Sequence, residues 1–191
     1  MGYQAKLPVP FGVLGIRCSE DALTGIDFLP ATEKPQRATS AFAATVCEQL
    51  LRYFENPDVQ FTVPLKPRGT PHQRKVWQAM CNIPRGQTRS YGELAAELKS
   101  CAQAVGQACG ANPIPIIVPC HRVIGADNSL TGYAGGLERK RMLLAHEAEN
   151  AAKRDAGRPT SLDTGLRPQG TRGGASQGQL AFMLHEKDPA P

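Results

Sequence analysis

The proline-rich run at 113–124 constrains the fold more than any other stretch of the chain. Its sequence is PIPIIVPCHRVI, in which three prolines fix φ and remove three backbone donors. The run can therefore form at most a short edge strand that ends in a rigid turn. Cys120 directly follows the last of these prolines, so its thiol should be held in a turn rather than packed in a sheet.

Cys120 is followed by His121, and a thiol beside an imidazole is a candidate nucleophile. Thiolate is the reactive form of cysteine, and a nearby base or positive charge lowers the cysteine pKa. The pair alone favours the plainer interpretation of a buried cysteine beside a structural histidine, because adjacent side chains on a chain often point in different directions. The flanking residues decide between the two.

The flanking residues resemble the active-site motif of the O6-alkylguanine-DNA alkyltransferases, which are suicide DNA-repair proteins. The matching stretches are NP at 112–113, PCHRV at 119–123, TGYAGG at 131–136 and LLAHE at 143–147. The resemblance covers about 70–150, and a weaker one covers the N-terminal third. It implies an α/β fold, with a small N-terminal ribonuclease-H-like α/β domain and a mostly helical C-terminal domain that carries a winged helix-turn-helix and the active-site cysteine.

Changes in composition divide the chain into three segments. Prolines and basic residues at 64–71 indicate a linker between an N-terminal α/β scaffold domain, 1–65, and a C-terminal DNA-binding and alkyl-acceptor domain, 66–150. The last segment, 151–191, is rich in Gly, Pro, Ser, Thr, Gln and Arg and shows little apolar periodicity. This composition predicts a disordered tail.

Periodicity and capping signals place the secondary structure. A β-meander is predicted with strands over 3–6, 13–17 and 23–28, then a helix over 42–54 and a short strand over 59–63. Thr70 and Pro71 predict the start of a helix with Trp77 on its buried face. The capping box from Ser90 to Glu93 opens a helix to about 98, and helices over 100–111 and 137–149 follow.

The helix over 100–111 is unusual because its candidate exposed positions are all small: Ala102, Ala104, Gly106, Ala108 and Gly110. Small side chains allow the close backbone approach that the minor groove, about 6 Å wide, requires, but close helix packing would produce the same pattern. In the family that the chain resembles, this helix enters the minor groove. The resemblance therefore favours DNA contacts by Ala102, Gln103, Ala104 and Gly106, with Arg122 as a further contact.

Basic residues are concentrated in the segment that leads into the cysteine motif. Residues 66–100 carry seven basic and two acidic side chains, whereas 1–65 carry five basic and seven acidic ones. A face that meets phosphates would show this distribution, although a solvated surface could show it too.

Composition also argues against several classes of protein. No apolar run approaches the roughly 20 residues that span a bilayer, and no secretory signal is recognised, so we expect a soluble, cytoplasmic protein without membrane contact. The six cysteines form no Cys-x-x-Cys pair, which favours reduced thiols and neither a metal site nor a cofactor. A monomer is expected.

The resemblance also implies roles for individual residues. Cys120 would be the nucleophile and alkyl acceptor, and His121 would remove its proton, through a water because adjacent side chains diverge. Glu147 would orient the imidazole and stabilise its charge. Tyr91 would donate to guanine N3, and Asn112 would tie the active-site turn to the helix-turn-helix.

The same resemblance places the substrate pocket. Tyr133 and the backbone of Ala134 would line it, and main-chain carbonyls near Cys120 and Val123 would accept from the guanine amino group. Gly135 stands where some bacterial relatives carry a bulky residue, which implies room for a benzyl-sized adduct. Gln103 falls where the family has an intercalating arginine, and the preceding loop is about two residues shorter, so we expect weaker DNA binding or slower repair.

The predicted function is direct-reversal DNA repair on duplex DNA. An alkyl group, methyl above all, would pass from O6 of a flipped-out guanine, or from O4 of thymine, to Cys120 irreversibly and once per molecule. Three alternatives remain open: a non-catalytic sensor of alkylation damage on the same helix-turn-helix, a Cys-His hydrolase, and a redox-sensing thiol.

Overall fold

The computed structural model describes residues 2–156. A three-stranded antiparallel sheet opens the chain, with strands β1 (Ala5–Val9), β2 (Gly12–Cys18) and β3 (Leu23–Leu29), and β2 lies in the middle. Helix α1 (Ala41–Glu55) packs on β1 and β2. It begins at Ser40, whose side chain accepts a hydrogen bond from the backbone of Ala43. The predicted meander and its helix are confirmed, although β1 starts two residues later than expected.

The strand predicted over 59–63 is wrong. Phe61 and Val63 of this segment and the following Leu65 are buried against the core, but residues 59–63 pair with no strand. The segment meets the sheet only at its end, where Leu23 N donates to Pro64 O and Lys66 N donates to Leu23 O, both at 2.9 Å. The alternation therefore reflects packing rather than strand pairing.

The edge of β3 also holds the proline-rich run in place. Ile26 N donates to Pro113 O at 2.8 Å, which fixes the beginning of the run against the sheet. The N-terminal sheet therefore contributes directly to the position of the cysteine motif.

The C-terminal part is mainly helical, with α2 (Pro71–Cys81), α3 (Tyr91–Glu97) and α4 (Ala102–Gly110). The predicted capping box is present at the start of α3, and the predicted cap Thr70 forms a second capping box with Gln73 at the start of α2. A short turn joins α3 to α4, and both α2 and α3 pack on α4. Trp77 is fully buried and its Nε1 donates to Ala108 O at 2.8 Å, so it belongs to the core. A two-stranded parallel sheet, β4 (Arg89–Ser90) and β5 (Val123–Ile124), links α3 to the cysteine motif.

Helix α5 (Leu137–Ala156) is longer than predicted. It continues past Glu149 because the next residues, AENAAKRDA from 148 to 156, are strong or fair helix formers without Gly or Pro. The predicted tail is therefore wrong for 151–156, and its remainder lies outside the described residues.

Two further features of residues 2–156 bear on function. None of their helices has the length and apolar character that crossing a membrane demands. Among the side chains of residues 2–152, no three of His, Cys, Asp or Glu are grouped so that they could hold a metal ion.

Candidate active site

Cys120 opens a short 3-10 helix, Cys120–Arg122, directly after the proline-rich run. The run forms turns instead of an edge strand, and its apolar side chains at 114, 116, 117 and 118 are buried. Ile116 has φ 75°, which a β-branched residue rarely adopts and which marks local strain. Cys120 itself is 6% exposed, so its thiol lies just beneath the surface in a rigid turn.

Asn112 connects this turn to the end of α4. Its Nδ2 donates to Val118 O at 2.8 Å and to Cys120 Sγ at 3.2 Å, while its Oδ1 accepts from Ile114 N at 3.0 Å. One side chain therefore fixes both the backbone of the turn and the thiol.

His121 and Glu147 form a fully buried pair, with 3.0 Å between Nε2 and Oε1. Burial would raise the pKa of Glu147, but hydrogen bonds from His121 and Arg122 outweigh it and hold the pKa far below its usual range. The ionised carboxylate only accepts, so Nε2 carries the proton. Nδ1 has no hydrogen-bond partner among the described residues, which leaves its lone pair free to take a proton.

Arg122 does not reach the surface, so its expected contact with DNA is wrong. Its guanidinium is buried and donates to Glu147 through Nε at 2.9 Å and Nη2 at 2.7 Å. Its Nη1 donates to Ile83 O at 2.7 Å. An exposed arginine would serve DNA, whereas this one neutralises the carboxylate that the buried histidine requires.

Tyr53 was not anticipated at the site. It projects from α1 of the N-terminal part, and its hydroxyl donates to Glu147 Oε1 at 2.8 Å in a fully buried contact. The only signal in the sequence was a tyrosine on the buried face of an amphipathic helix. A contact between residues 94 positions apart cannot be read from periodicity.

The thiol and the imidazole are both neutral in this environment. Burial raises the pKa of Cys120 to about 11, against the opposing effects of Asn112 and Lys140. Burial therefore outweighs the lowering of the cysteine pKa that neighbouring donors and positive charge produce. Burial also lowers the pKa of His121, although Glu147 opposes this. A neutral imidazole is the state that a general base needs.

Lys140 is a second unanticipated residue. It is fully buried on α5, and its Nζ donates to Val123 O at 2.7 Å and Thr131 O at 2.9 Å. No salt bridge among the described side chains, those of residues 2–152, neutralises it. The sequence did contain a signal, because Lys140, Leu143 and Glu147 are three and four residues apart. This spacing places the three residues on one face of a helix.

A cleft of about 510 Å³ opens between α3, α4 and the loop at 131–134, and no residue of the cysteine motif at 119–123 lines it. Its walls are Tyr91, Ala102, Gly106, Gly110, Thr131, Gly132, Tyr133 and Ala134. Burial is the main cause that raises the pKa of Tyr91 and of Tyr133. The Tyr91 hydroxyl lies 3.1 Å from Thr131 O, to which it donates across the cleft.

Gly135 lies behind the cleft rather than in its wall. A Cβ at this position would come within 2.7 Å of the rings of Phe28 and Tyr133, so the glycine is required for packing. Arg139 also fixes it, since Nη1 donates to Gly135 O at 2.8 Å. Its expected role in the pocket is therefore indirect, because it allows Tyr133 to approach Phe28 of the sheet.

Helix α4 presents part of its predicted small face to the cleft. Ala102 and Gly106 line the cleft, Gln103 is exposed, and Ala104 is half-buried. Ala108 is buried in the core, so its expected exposure is wrong.

Comparison with known protein families gives two matches that cover most of the described chain. The family described as 6-O-methylguanine DNA methyltransferase, ribonuclease-like domain, matches residues 3–67 of this chain. The family described as 6-O-methylguanine DNA methyltransferase, DNA binding domain, matches residues 71–149 of this chain.

Individual proteins show the same similarity. A methylated-DNA–protein-cysteine methyltransferase of Mycolicibacterium paratuberculosis is 46% identical over 149 residues, which cover 74% of this chain and 90% of that protein. The protein of that name from Salmonella typhimurium is 41% identical over 161 residues, covering 75% and 94%. The crystal structure of Mycobacterium tuberculosis OGT in complex with DNA superimposes with a TM-score of 0.68 at 42% identity, covering 76% and 92%.

Proposed function

Since the chain belongs to the family of methylated-DNA–protein-cysteine methyltransferases, or O6-alkylguanine-DNA alkyltransferases, we propose that it repairs DNA by direct reversal. An alkyl group, methyl above all, passes from O6 of guanine, or from O4 of thymine, to Sγ of Cys120. The observation that carries this proposal is the thiol held by Asn112 Nδ2, with His121, a buried neutral imidazole paired with the ionised Glu147, directly after it in the chain.

The chemistry follows from the protonation states. The thiol is neutral at physiological pH, so its proton must leave as the sulfur attacks. No hydrogen bond joins Cys120 Sγ to the His121 ring, and the free Nδ1 can receive the proton through one intervening water. Glu147 then stabilises the imidazolium. The S–C bond forms as the C–O6 bond breaks, and guanine leaves with the electron pair and is reprotonated.

The base is recognised by groups that border the cleft. Tyr91 turns its hydroxyl from Thr131 O to guanine N3, which offsets charge on the leaving base. Tyr133 and Ala134 pack on the base, and backbone carbonyls near Cys120 and Val123 accept from its amino group. The base must leave the stack to reach the cleft, because its O6 substituent is inaccessible within the duplex.

Contact with the minor groove is supported by the glycines of α4. A Cβ at Gly110 would meet nothing within 4 Å, and at Gly106 it would meet only the Tyr91 ring at 3.9 Å. The protein's own packing therefore does not require these glycines, and close approach by the DNA backbone gives a reason for them. Ala102, Gln103 and Ala104 complete this surface, with Gln103 entering the space of the flipped base.

Gly106→Ala should separate DNA binding from stability. Alanine favours the helix by about 0.8–1 kcal/mol over glycine, so the free energy of unfolding should rise or stay unchanged. Duplex affinity should fall several-fold because the added methyl group faces the cleft. Fluorescence anisotropy and urea denaturation measure the two effects. Gly92→Ala on α3, which does not line the cleft, is the matched control, and equal affinities for both variants would contradict the assignment of α4.

The thiol, its base and the proposed DNA surface all belong to one chain, which supports a monomer. We propose that this monomer acts in the cytoplasm. Residues 1–65 form the N-terminal scaffold domain and 66–150 the DNA-binding and alkyl-acceptor domain.

Intact-protein mass spectrometry tests the proposed function. The protein is mixed with a short duplex that carries one O6-methylguanine, and we expect a mass increase of one methyl group that stops at one equivalent and maps to Cys120. Cys120→Ser should bind the same duplex without gaining mass. Duplex binding without methyl transfer by the unsubstituted protein would identify a damage sensor, and methyl release with turnover would indicate a hydrolase.

A further inference from the structure

We propose that Tyr53 is a positioning residue of the alkyl-transfer site, and that its hydroxyl fixes Glu147 Oε1 against His121. This inference rests on the proposed function for its role in repair, but its geometric part can be tested without repair. It assigns the N-terminal α/β unit a direct part in the chemistry, beyond the scaffold role that its sequence suggests.

Glu147 accepts hydrogen bonds through both of its carboxylate oxygens. Its Oε1 accepts three of them: from Tyr53 Oη at 2.8 Å, from His121 Nε2 at 3.0 Å and from Arg122 Nη2 at 2.7 Å. Its Oε2 accepts from Arg122 Nε at 2.9 Å and, more weakly, from Gly86 N at 3.4 Å. Tyr53 therefore acts on the same oxygen atom that holds the imidazole.

The tyrosine is itself held rigidly at both ends. Its carbonyl oxygen accepts from His146 Nε2 at 2.8 Å, and its ring packs edge-on against the His146 ring with centroids 5.4 Å apart. His146 directly precedes Glu147 on α5, so α1 and α5 are locked together at this point. A buried group fixed in this way can orient its partner without reorganising.

The hydroxyl should also tune the charge on the pair. Its donation spreads negative charge away from Oε1, which limits how strongly that oxygen stabilises protonated His121. Without the hydroxyl, His121 should bind a proton more readily and be less firmly oriented. The other charged or titratable groups that act on the pair are Arg122, Lys140, Arg85 and Tyr133.

Tyr53→Phe removes only the hydroxyl, and Asn150→Ala supplies a matched control. Asn150 Nδ2 donates to Asn56 Oδ1 at 3.1 Å and Asp58 Oδ2 at 2.9 Å, so it joins α5 to the end of α1 without contacting Glu147. Both substitutions remove a contact between α5 and the α1 region, but only Tyr53→Phe removes a hydrogen bond to the Glu147 carboxylate. Urea denaturation establishes that both are folded.

Two measurements follow on the full-length variants. NMR titration of the His121 ring nitrogens should show protonation at higher pH in Tyr53→Phe and no change in Asn150→Ala. Single-turnover methyl transfer from an O6-methylguanine duplex should be about tenfold slower at pH 7 in Tyr53→Phe. The fall in this rate on the acidic side of its pH profile should also occur at higher pH. Asn150→Ala should keep the pH profile of the unsubstituted protein.

The outcomes separate the inference from the proposed function. An unchanged His121 titration in Tyr53→Phe, or an equal shift in Asn150→Ala, overturns the positioning role even if repair slows. A specific shift of the titration in a protein that transfers no methyl group supports the positioning of Glu147 and rejects the repair function instead.

Discussion

Glu147→Gln should abolish methyl transfer and lower the free energy of unfolding by about 3–5 kcal/mol, the range for breaking a buried ion pair. The amide is nearly isosteric, so the loss would come from charge and donor direction rather than from a cavity. Arg122 would remain buried and donate to a neutral group, and the amide NH2 would face other donors. His121 would lose the anion that stabilises its imidazolium. Urea denaturation and single-turnover transfer measure the two effects.

The pH dependence of that loss has a definite sign. The folded pKa of Glu147 lies far below the unfolded value of about 4.3, because the hydrogen bonds from His121 and Arg122 outweigh burial. Its stabilisation is therefore complete above that unfolded value and declines as the pH falls toward the folded one. The stability difference between the unsubstituted protein and Glu147→Gln should be full at pH 7 and smaller below about pH 4.

Glu149→Gln is the matched control for this prediction. It removes an exposed carboxylate from the same helix, so its free energy of unfolding should stay within about 0.5 kcal/mol of the original at either pH. Transfer should continue at the original rate. Retention of transfer by Glu147→Gln within a factor of two would mean that the carboxylate does not support His121.

The helices were largely predictable because local chemistry determines where they begin. The capping boxes at Thr70 and Ser90 and the cap at Ser40 satisfy backbone donors within a few residues, so the sequence alone contains the signal. The strand prediction for 59–63 was wrong because the alternating apolar residues of this segment fill the core without a neighbouring strand to pair with. Alternating apolar residues show which side chains are buried. Whether the backbone also pairs as a strand depends on segments that are distant in the sequence.

The residues of the site also differ in whether the sequence could predict them. Cys120, His121, Asn112 and Glu147 were found because a motif resemblance encodes a spatial arrangement that periodicity cannot supply. Arg122 was predicted to contact DNA, and only the fold shows that it neutralises a buried carboxylate. The contact of Tyr53 with Glu147 depends on how two distant helices pack, which no local pattern specifies.

Lys140→Met should slow methyl transfer about tenfold or more at pH 7 while leaving duplex affinity unchanged, because each unit of cysteine pKa is worth about tenfold in thiolate. The positive charge of Lys140 opposes the rise in the pKa of Cys120 that burial causes, so its removal would make the attacking sulfur harder to ionise. It would also free the carbonyls of Val123 and Thr131. The ammonium is fully buried and cannot contact phosphates, which is why binding should not change.

Reaction with free O6-benzylguanine, which needs no DNA, separates the chemical step from duplex binding. Lys140→Met should slow this reaction as well, whereas Arg141→Met, which removes an exposed charge from the next position of α5, should not. The single-turnover rate of Arg141→Met at saturating duplex should match the unsubstituted protein. If Lys140→Met lost duplex affinity but reacted normally with the free base, Lys140 would support the DNA surface rather than the thiol. The buried cation beneath the cleft would then have no part in activating Cys120.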